Sequence, residues 1–175
     1  MKHSLLVAAM GLSLVACSEK PPEKATTPTA PSAAPSAPSF VKPTAVRPAA
    51  IQSVASVTDG CALDYMNDRP MKDATITDKA KVTLLGWAGN VPAGSSPQQV
   101  FLEFEGPSKI YLKTAHSAKR PDVVDHFKKP GLADAGWAAY ADFSEVTAGA
   151  YKVRIIQLQG QTSMVCESNH SIAIK

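Results

Sequence analysis

The chain has 175 residues, a formal net charge of +3, and is 45% hydrophobic but only 6% aromatic. That length suits one domain. The body holds no apolar run long enough for a membrane-spanning helix and no sustained heptad repeat, which excludes an internal span and a coiled coil. The charge is unevenly placed: residues 1–57 carry 5 basic and 2 acidic side chains, while residues 58–175 carry 13 of each. A neutral body releases few counterions on a polyanion, so nucleic acid is not an expected partner.

The first residues read as a targeting signal. Met1-Lys2-His3 is a short positive start, and Ser4 to Leu14 is an apolar stretch too short to span a bilayer comfortably. It closes on Leu14-Val15-Ala16-Cys17. These four residues resemble the bacterial lipobox, in which small residues precede a cysteine. The resemblance implies a signal peptide over 1–16, cleavage before Cys17, and lipidation (palmitate included) of Cys17. Several acyl chains anchor a protein stably where one does not. Ser18 rather than Asp follows Cys17. In Gram-negative lipoproteins that pattern resembles the one exported to the outer membrane. The expected localisation is therefore the bacterial cell envelope, lipid-anchored, on either face of the outer membrane.

Residues 17–57 read as a linker. Eight of the 14 prolines fall between Ser18 and Val57. Proline removes a donor and fixes φ, and Pro/Ala/Ser tracts favour an extended, semi-rigid, disordered chain. At about 3.1 Å per residue, forty residues could reach roughly 120 Å. Lys20, Lys24, Lys42 and Arg47 are loosely spaced and read as solvated charges.

Past Thr58 the hydrophobic period changes to two. Val82, Leu84 and Gly86 alternate with Thr83, Leu85 and Trp87; Val100, Leu102 and Phe104 alternate with Phe101, Glu103 and Glu105. Ile110–Leu112, Tyr151–Ile155 and Ile172–Ile174 repeat the pattern. Alternation with one mixed face predicts antiparallel sheet. Gly106-Pro107-Ser108 and Gly160 mark hairpins, and Pro121 to Lys128 predicts a short helix with Pro121 in its first turn. About seven short strands in residues 58–175 predict an all-β fold: a single immunoglobulin-like antiparallel β-sandwich with one short helix, preceded by the linker. Cys17 being taken by lipid, Cys61 and Cys166 remain. In an oxidising compartment they are expected to pair, closing a long loop with a stabilisation near ~4.7 kcal/mol at most.

Several short words occur in a telling order: Gly86-Trp87-Ala88, then Arg120-Pro121-Asp122-Val123, then Gly136-Trp137, then Gly149-Ala150-Tyr151. Over about residues 80–160 this resembles the Ig-like modules attached to bacterial cell-surface and polysaccharide-related proteins. The resemblance implies a fold and carries no catalytic residue.

No catalytic constellation, metal-ligand spacing or cofactor motif stands out, so the chain is expected to be non-enzymatic, with no cofactor and no metal. Asp122 and His126 are four apart and would share a helix face, but no nucleophile is marked beside them. Gly94-Ser95-Ser96 lacks the nucleophile-elbow frame. Glu103 and Glu105 share a strand face, as paired carboxylates of glycosidases can, though a solvated stripe is the commoner reading. Trp87 and Trp137 could stack ligand rings or pack in the core, and Arg120 could bind a ligand or fix a turn with Asp122. These three are the tentative ligand-binding residues. Loops 89–98 and 114–121 are the expected recognition loops. The function expected is an outer-membrane-anchored lipoprotein with a non-catalytic binding domain that contacts an envelope protein or glycan. An accessory subunit of an envelope assembly or secretion complex is the alternative, and an enzyme with an unmarked site a more distant one.

Overall fold

The computed structural model describes residues 37–175 apart from Ser53, Thr58 and Asp73, and for 54–57 the backbone only. The expected signal peptide, Cys17 and the expected linker as far as Ser36 lie outside the described residues. In chain order the elements are β1 (Val54–Val57), β2 (Cys61–Met66), β3 (Arg69–Pro70), β4 (Thr75–Ile76), β5 (Val82–Ala88), β6 (Gln99–Glu105), β7 (Lys109–Lys113), β8 (Ala115–His116), α1 (Pro121–Phe127), a 3-10 turn (Pro130–Leu132), β9 (Gly136–Ala141), β10 (Gly149–Gln159) and β11 (Thr162–Ile174).

The strands form two sheets. The first runs β3-β2-β5-β9-β8, and the second runs β1-β11-β10-β6-β7 with β4 also on β11. In immunoglobulin lettering, β2-β5-β9-β8 is A-B-E-D and β6-β10-β11 is C-F-G, with β7 as C′. All pairings are antiparallel except the short β1–β11 and β4–β11 contacts, which are parallel. A tyrosine corner supports the assignment: Tyr151, at the start of β10, is fully buried and its hydroxyl donates to the Thr147 carbonyl at 2.9 Å.

The alternation produces the core. Val82 and Leu84 from β5, Val100, Leu102 and Phe104 from β6, and Val153 and Ile155 from β10 interdigitate between the sheets with Trp137 and Phe143. Phe104 and Phe143 meet edge-to-face at 5.3 Å. Gly86 is required here, because a Cβ would stand 2.4 Å from the Trp137 ring and 2.2 Å from the Ala62 carbonyl oxygen. Cys61 on β2 and Cys166 on β11 are disulfide-bonded with Cα atoms 6.2 Å apart, so the bridge staples one sheet to the other. Immunoglobulins place theirs between strands B and F; here it joins A to G.

The compact unit that holds the sandwich starts at Ala37, 21 positions before the expected start of the domain at residue 58. Residues 37–52 lie along the sandwich as a strap. Val41 bridges β9, its N–H donating to the Tyr140 carbonyl at 3.0 Å and its carbonyl accepting from the Asp142 N–H at 2.9 Å. Thr44 exchanges two backbone bonds with Tyr111 on β7, at 2.9 and 2.8 Å. Ile51, 2% exposed, then packs with Phe101, Tyr111, Ile156, Leu158 and Val165 on the outer face of the second sheet. Phe40 also meets Tyr140 edge-to-face at 5.9 Å, and Lys42 pairs with Glu145. Composition hid this, because these few anchors are scattered among prolines that look like linker. Pro48 itself makes the turn, accepting from the Ile51 N–H at 2.9 Å.

The predicted helix forms at Pro121–Phe127, with Pro121 in the first turn, Asp122 at the positive end, and Lys128 in the left-handed conformation at φ 54° ending it. It covers a third, small cluster of Trp87, Val123, Leu132 and Ala135.

Candidate functional site

A cavity of about 780 Å³ forms an open groove on the outer face of the first sheet. Its floor follows from strand register. Pro70 on β3 pairs with Tyr65 on β2, Tyr65 with Leu85 on β5, and Leu85 with Ala138 on β9. These residues form one row across four strands on the pleat opposite the core. Tyr140, two residues beyond Ala138 on the same strand, continues that face. The chain from β8 into α1 forms the wall with His116, Ser117, Ala118, Arg120 and Asp122.

Arg120 organises the wall. Its Nε and Nη2 donate to the two oxygens of Asp122 at 2.9 and 2.7 Å, a bidentate fork. Its Nη1 donates to Asp64 Oδ2 at 2.7 Å. Asp64 reaches this position because β2 bulges between Leu63 and Tyr65, and a bulge re-aims the side chains beside it. The fork to Arg120 holds the Asp122 carboxyl below the usual aspartate range. Asp122 in turn, more than Asp64, keeps the guanidinium firmly protonated. Asp64 Oδ1 has no partner among the described residues. The wall therefore offers two carboxylates against one guanidinium that is already engaged.

The tentative ligand residues separate here. Arg120 lines the groove. Trp137 is 1% exposed in the central core, and Trp87 is 9% exposed beneath α1, 5.5 Å from the Phe127 ring. Both indoles are buried among protein side chains, which is the packing alternative of the two readings. The rings that line the groove are tyrosines: Tyr65, 45% exposed, and Tyr140. Asp64, Tyr65 and Pro70 went unread in the sequence because their hairpin turns on Asn67-Asp68 rather than on a glycine pair. Both residues have positive φ, 48° and 60°, as a type I′ turn demands. An Asn-Asp pair after the Leu63/Tyr65 alternation is the signal that identifies it.

Of the two expected recognition loops, 114–121 contributes to the groove. Loop 89–98 is pinned instead: Asn90 and Ser95 exchange backbone bonds, Gln159 Nε2 donates to Ser95 Oγ at 2.5 Å, and Ser96 Oγ donates to the Gly131 carbonyl.

The other chemical candidates do not assemble. Asp122 serves Arg120, while His126 sits edge-on against Phe127 at 4.6 Å. Glu103 is buried on the outer face of the second sheet, ion-paired with Arg154, and Arg154 also lies 3.3 Å from Glu105. Lys109 bonds Glu105 at 3.0 Å. The carboxylates are thus members of an ion network rather than a catalytic pair. Among the described residues no three His, Cys, Asp or Glu side chains converge on a metal position, and no helix is long and apolar enough to cross a membrane.

No family model matches the chain, and no match is found among curated proteins or solved structures.

Proposed function

We propose that this chain is a lipid-anchored protein of the bacterial outer membrane whose β-sandwich is a non-catalytic binding module. The groove on the first sheet is its ligand site. The observation that carries the reading is the groove itself: an aliphatic floor between two tyrosines, bounded by a carboxylate–guanidinium wall already locked in geometry. Sites of this size with a few convergent polar groups are where ligands bind. The lipobox resemblance at Leu14–Cys17 supports the anchor, and the Ig-like resemblance supports an envelope setting.

The strap shortens the tether. With Cys17 as the anchored residue and Ala37 as the first residue of the domain, they stand 20 positions apart. At about 3.1 Å per residue that stretch reaches roughly 60 Å, half the span expected from composition. The module would then work close to the membrane that holds it.

The test is capture from solubilised envelope by the full chain, compared with a Tyr65→Ala/Tyr140→Ala variant, each with and without prior glycan digestion. Capture that depends on the two tyrosines supports the groove. Capture that survives their loss removes the groove from the function. Anchoring is checked separately: Cys17→Ser should release the protein from the membrane fraction and abolish palmitate labelling.

A further inference from the structure

We infer that the groove takes a lysine side chain of a protein partner, with the ammonium on Asp64 and the aliphatic stem along Leu85 and Ala138. The inference rests on the groove being the binding site and names what it recognises.

Three observations lead there. First, the charge balance of the wall selects the sign of the ligand. Arg120 places three of its five N–H groups on Asp64 and Asp122, so its single positive charge is already matched by two carboxylates. Asp64 keeps one unpartnered oxygen, and its side chain is 26% exposed. An incoming ammonium finds an acceptor held in place by Arg120. An incoming carboxylate or phosphate finds two like charges.

Second, the floor matches an amphipathic side chain. Leu85 and Ala138 are paired neighbours on β5 and β9, and they form an apolar strip beside the carboxylates. Lysine places a four-carbon stem on such surface while its head stays polar. Third, tyrosine rings line the groove with this strip. Tyr65 neighbours Asp64 in sequence and Leu85 across the ladder. A cation near a tyrosine face gains attraction that a neutral ligand does not.

The probe is the peptide acetyl-Ala-Lys-Ala-amide, titrated into the isotopically labelled, unlipidated Cys17→Ser chain and followed by amide and side-chain shifts. Saturable shifts confined to Asp64, Tyr65, Leu85, Ala138 and Tyr140 are expected. Nε-acetylation of the peptide should abolish them. Asp64→Asn should weaken binding about tenfold, the loss of one charge-assisted contact. Tyr65→Ala should weaken it about threefold. Tyr65 is exposed and Asn keeps the shape and one acceptor oxygen of Asp64, and a melting temperature within a few degrees of the parent shows that both variants fold. If the acetylated peptide binds equally, or if Asp64→Asn changes nothing, the inference is overturned. If an N-acetylglucosamine oligomer shifts the same residues and the lysine peptide does not, the groove stands and the ligand is a glycan. If neither probe moves any groove residue, the lysine inference fails, and tyrosine-independent envelope capture would show that the groove reading fails with it.

Discussion

The two outer faces of the sandwich began alike and ended differently. On the second sheet Phe101, Tyr111, Ile156, Leu158 and Val165 point away from the core, and the strap covers them with Ile51. On the first sheet Tyr65, Leu85, Ala138 and Tyr140 also point away from the core, yet only part of that face is covered, where α1 and the 3-10 turn pack on Trp87 and where Phe40 of the strap meets the Tyr140 ring edge-to-face at 5.9 Å. The rest is the groove. Apolar side chains on a wet face cost solubility unless something occupies them. One face has its occupant in the same chain. The other presents a polar wall beside its floor, which an intramolecular cover would have made redundant.

The largest effect should come from removing the strap. Deleting residues 37–52 strips Ile51, whose truncation alone costs about 2–5 kcal/mol. It also frees the four backbone bonds that Val41 and Thr44 make at β9 and β7. Unpaired strand edges template association. The expected result is a melting temperature lower by well over 10 °C or outright aggregation, together with binding of a hydrophobic dye. A truncated chain as stable as the full one would show that the strap is ornament and that both faces are free.

Tyr111→Ala is the next largest. Tyr111 lies at 6% exposure under the strap, and burial, with the Glu103 carboxylate adding to it, holds its phenol above the usual tyrosine range. Losing a buried aromatic costs about 3–5 kcal/mol. Chemical denaturation should report that loss with an unchanged slope. The envelope capture per folded molecule should not change, since the ring is remote from the groove.

Arg120→Gln comes third and sharpens the other face. It releases Asp122 and Asp64 from their shared partner, and partly exposed ion pairs of this kind contribute about 1 kcal/mol. Its pH signature is the better measure. The carboxyl of Asp122 titrates lower in the folded chain than in the unfolded one, so its contribution is fully present above the ordinary aspartate range near ~3.9 and is lost as pH falls through the folded value. Melting temperature followed from pH 5 downward should fall less steeply below about pH 4 in Arg120→Gln than in the parent. Parallel curves would mean that Arg120 does not govern Asp122.

How much of this was legible follows the same division. Alternation at Val82–Trp87, Val100–Glu105 and Tyr151–Ile156 predicts the sandwich, because period two is a property of the pleat and needs no partner to be read. The Cys61–Cys166 bridge is the pairing expected if Cys17 carries lipid and the compartment is oxidising, and the structure shows it. The cover of each outer face is not local. Nothing near Ile51 in sequence says that it meets Phe101 and Val165, and nothing near Asp64 says that a bulge turns it toward Arg120. The tryptophans mislead for a related reason. A strand residue on the mixed face can lie beneath a later helix, as Trp87 lies beneath α1, and alternation cannot see that helix arrive. Arg120 was legible because its main partner, Asp122, is two residues away.

The smallest expected effect on stability is the most informative about function. Tyr65 and Tyr111 are the same residue on opposite outer faces, one 45% and the other 6% exposed. Tyr65→Ala removes a ring that already stands in water, and changes of that kind usually stay within about 0.5 kcal/mol. Its hairpin is fixed by the Asn67-Asp68 turn and by the pairing of Met66 with Arg69, neither of which needs the ring. The melting temperature should therefore hold while envelope capture falls. The Tyr111 variant should behave the opposite way, losing stability and keeping capture. A double-mutant comparison then separates the faces: the two effects should add without coupling, because the residues lie on different sheets and share no partner. If Tyr65→Ala lowers stability as Tyr111→Ala does, Tyr65 has an occupant of its own in the full chain, and the groove is a covered face rather than a site.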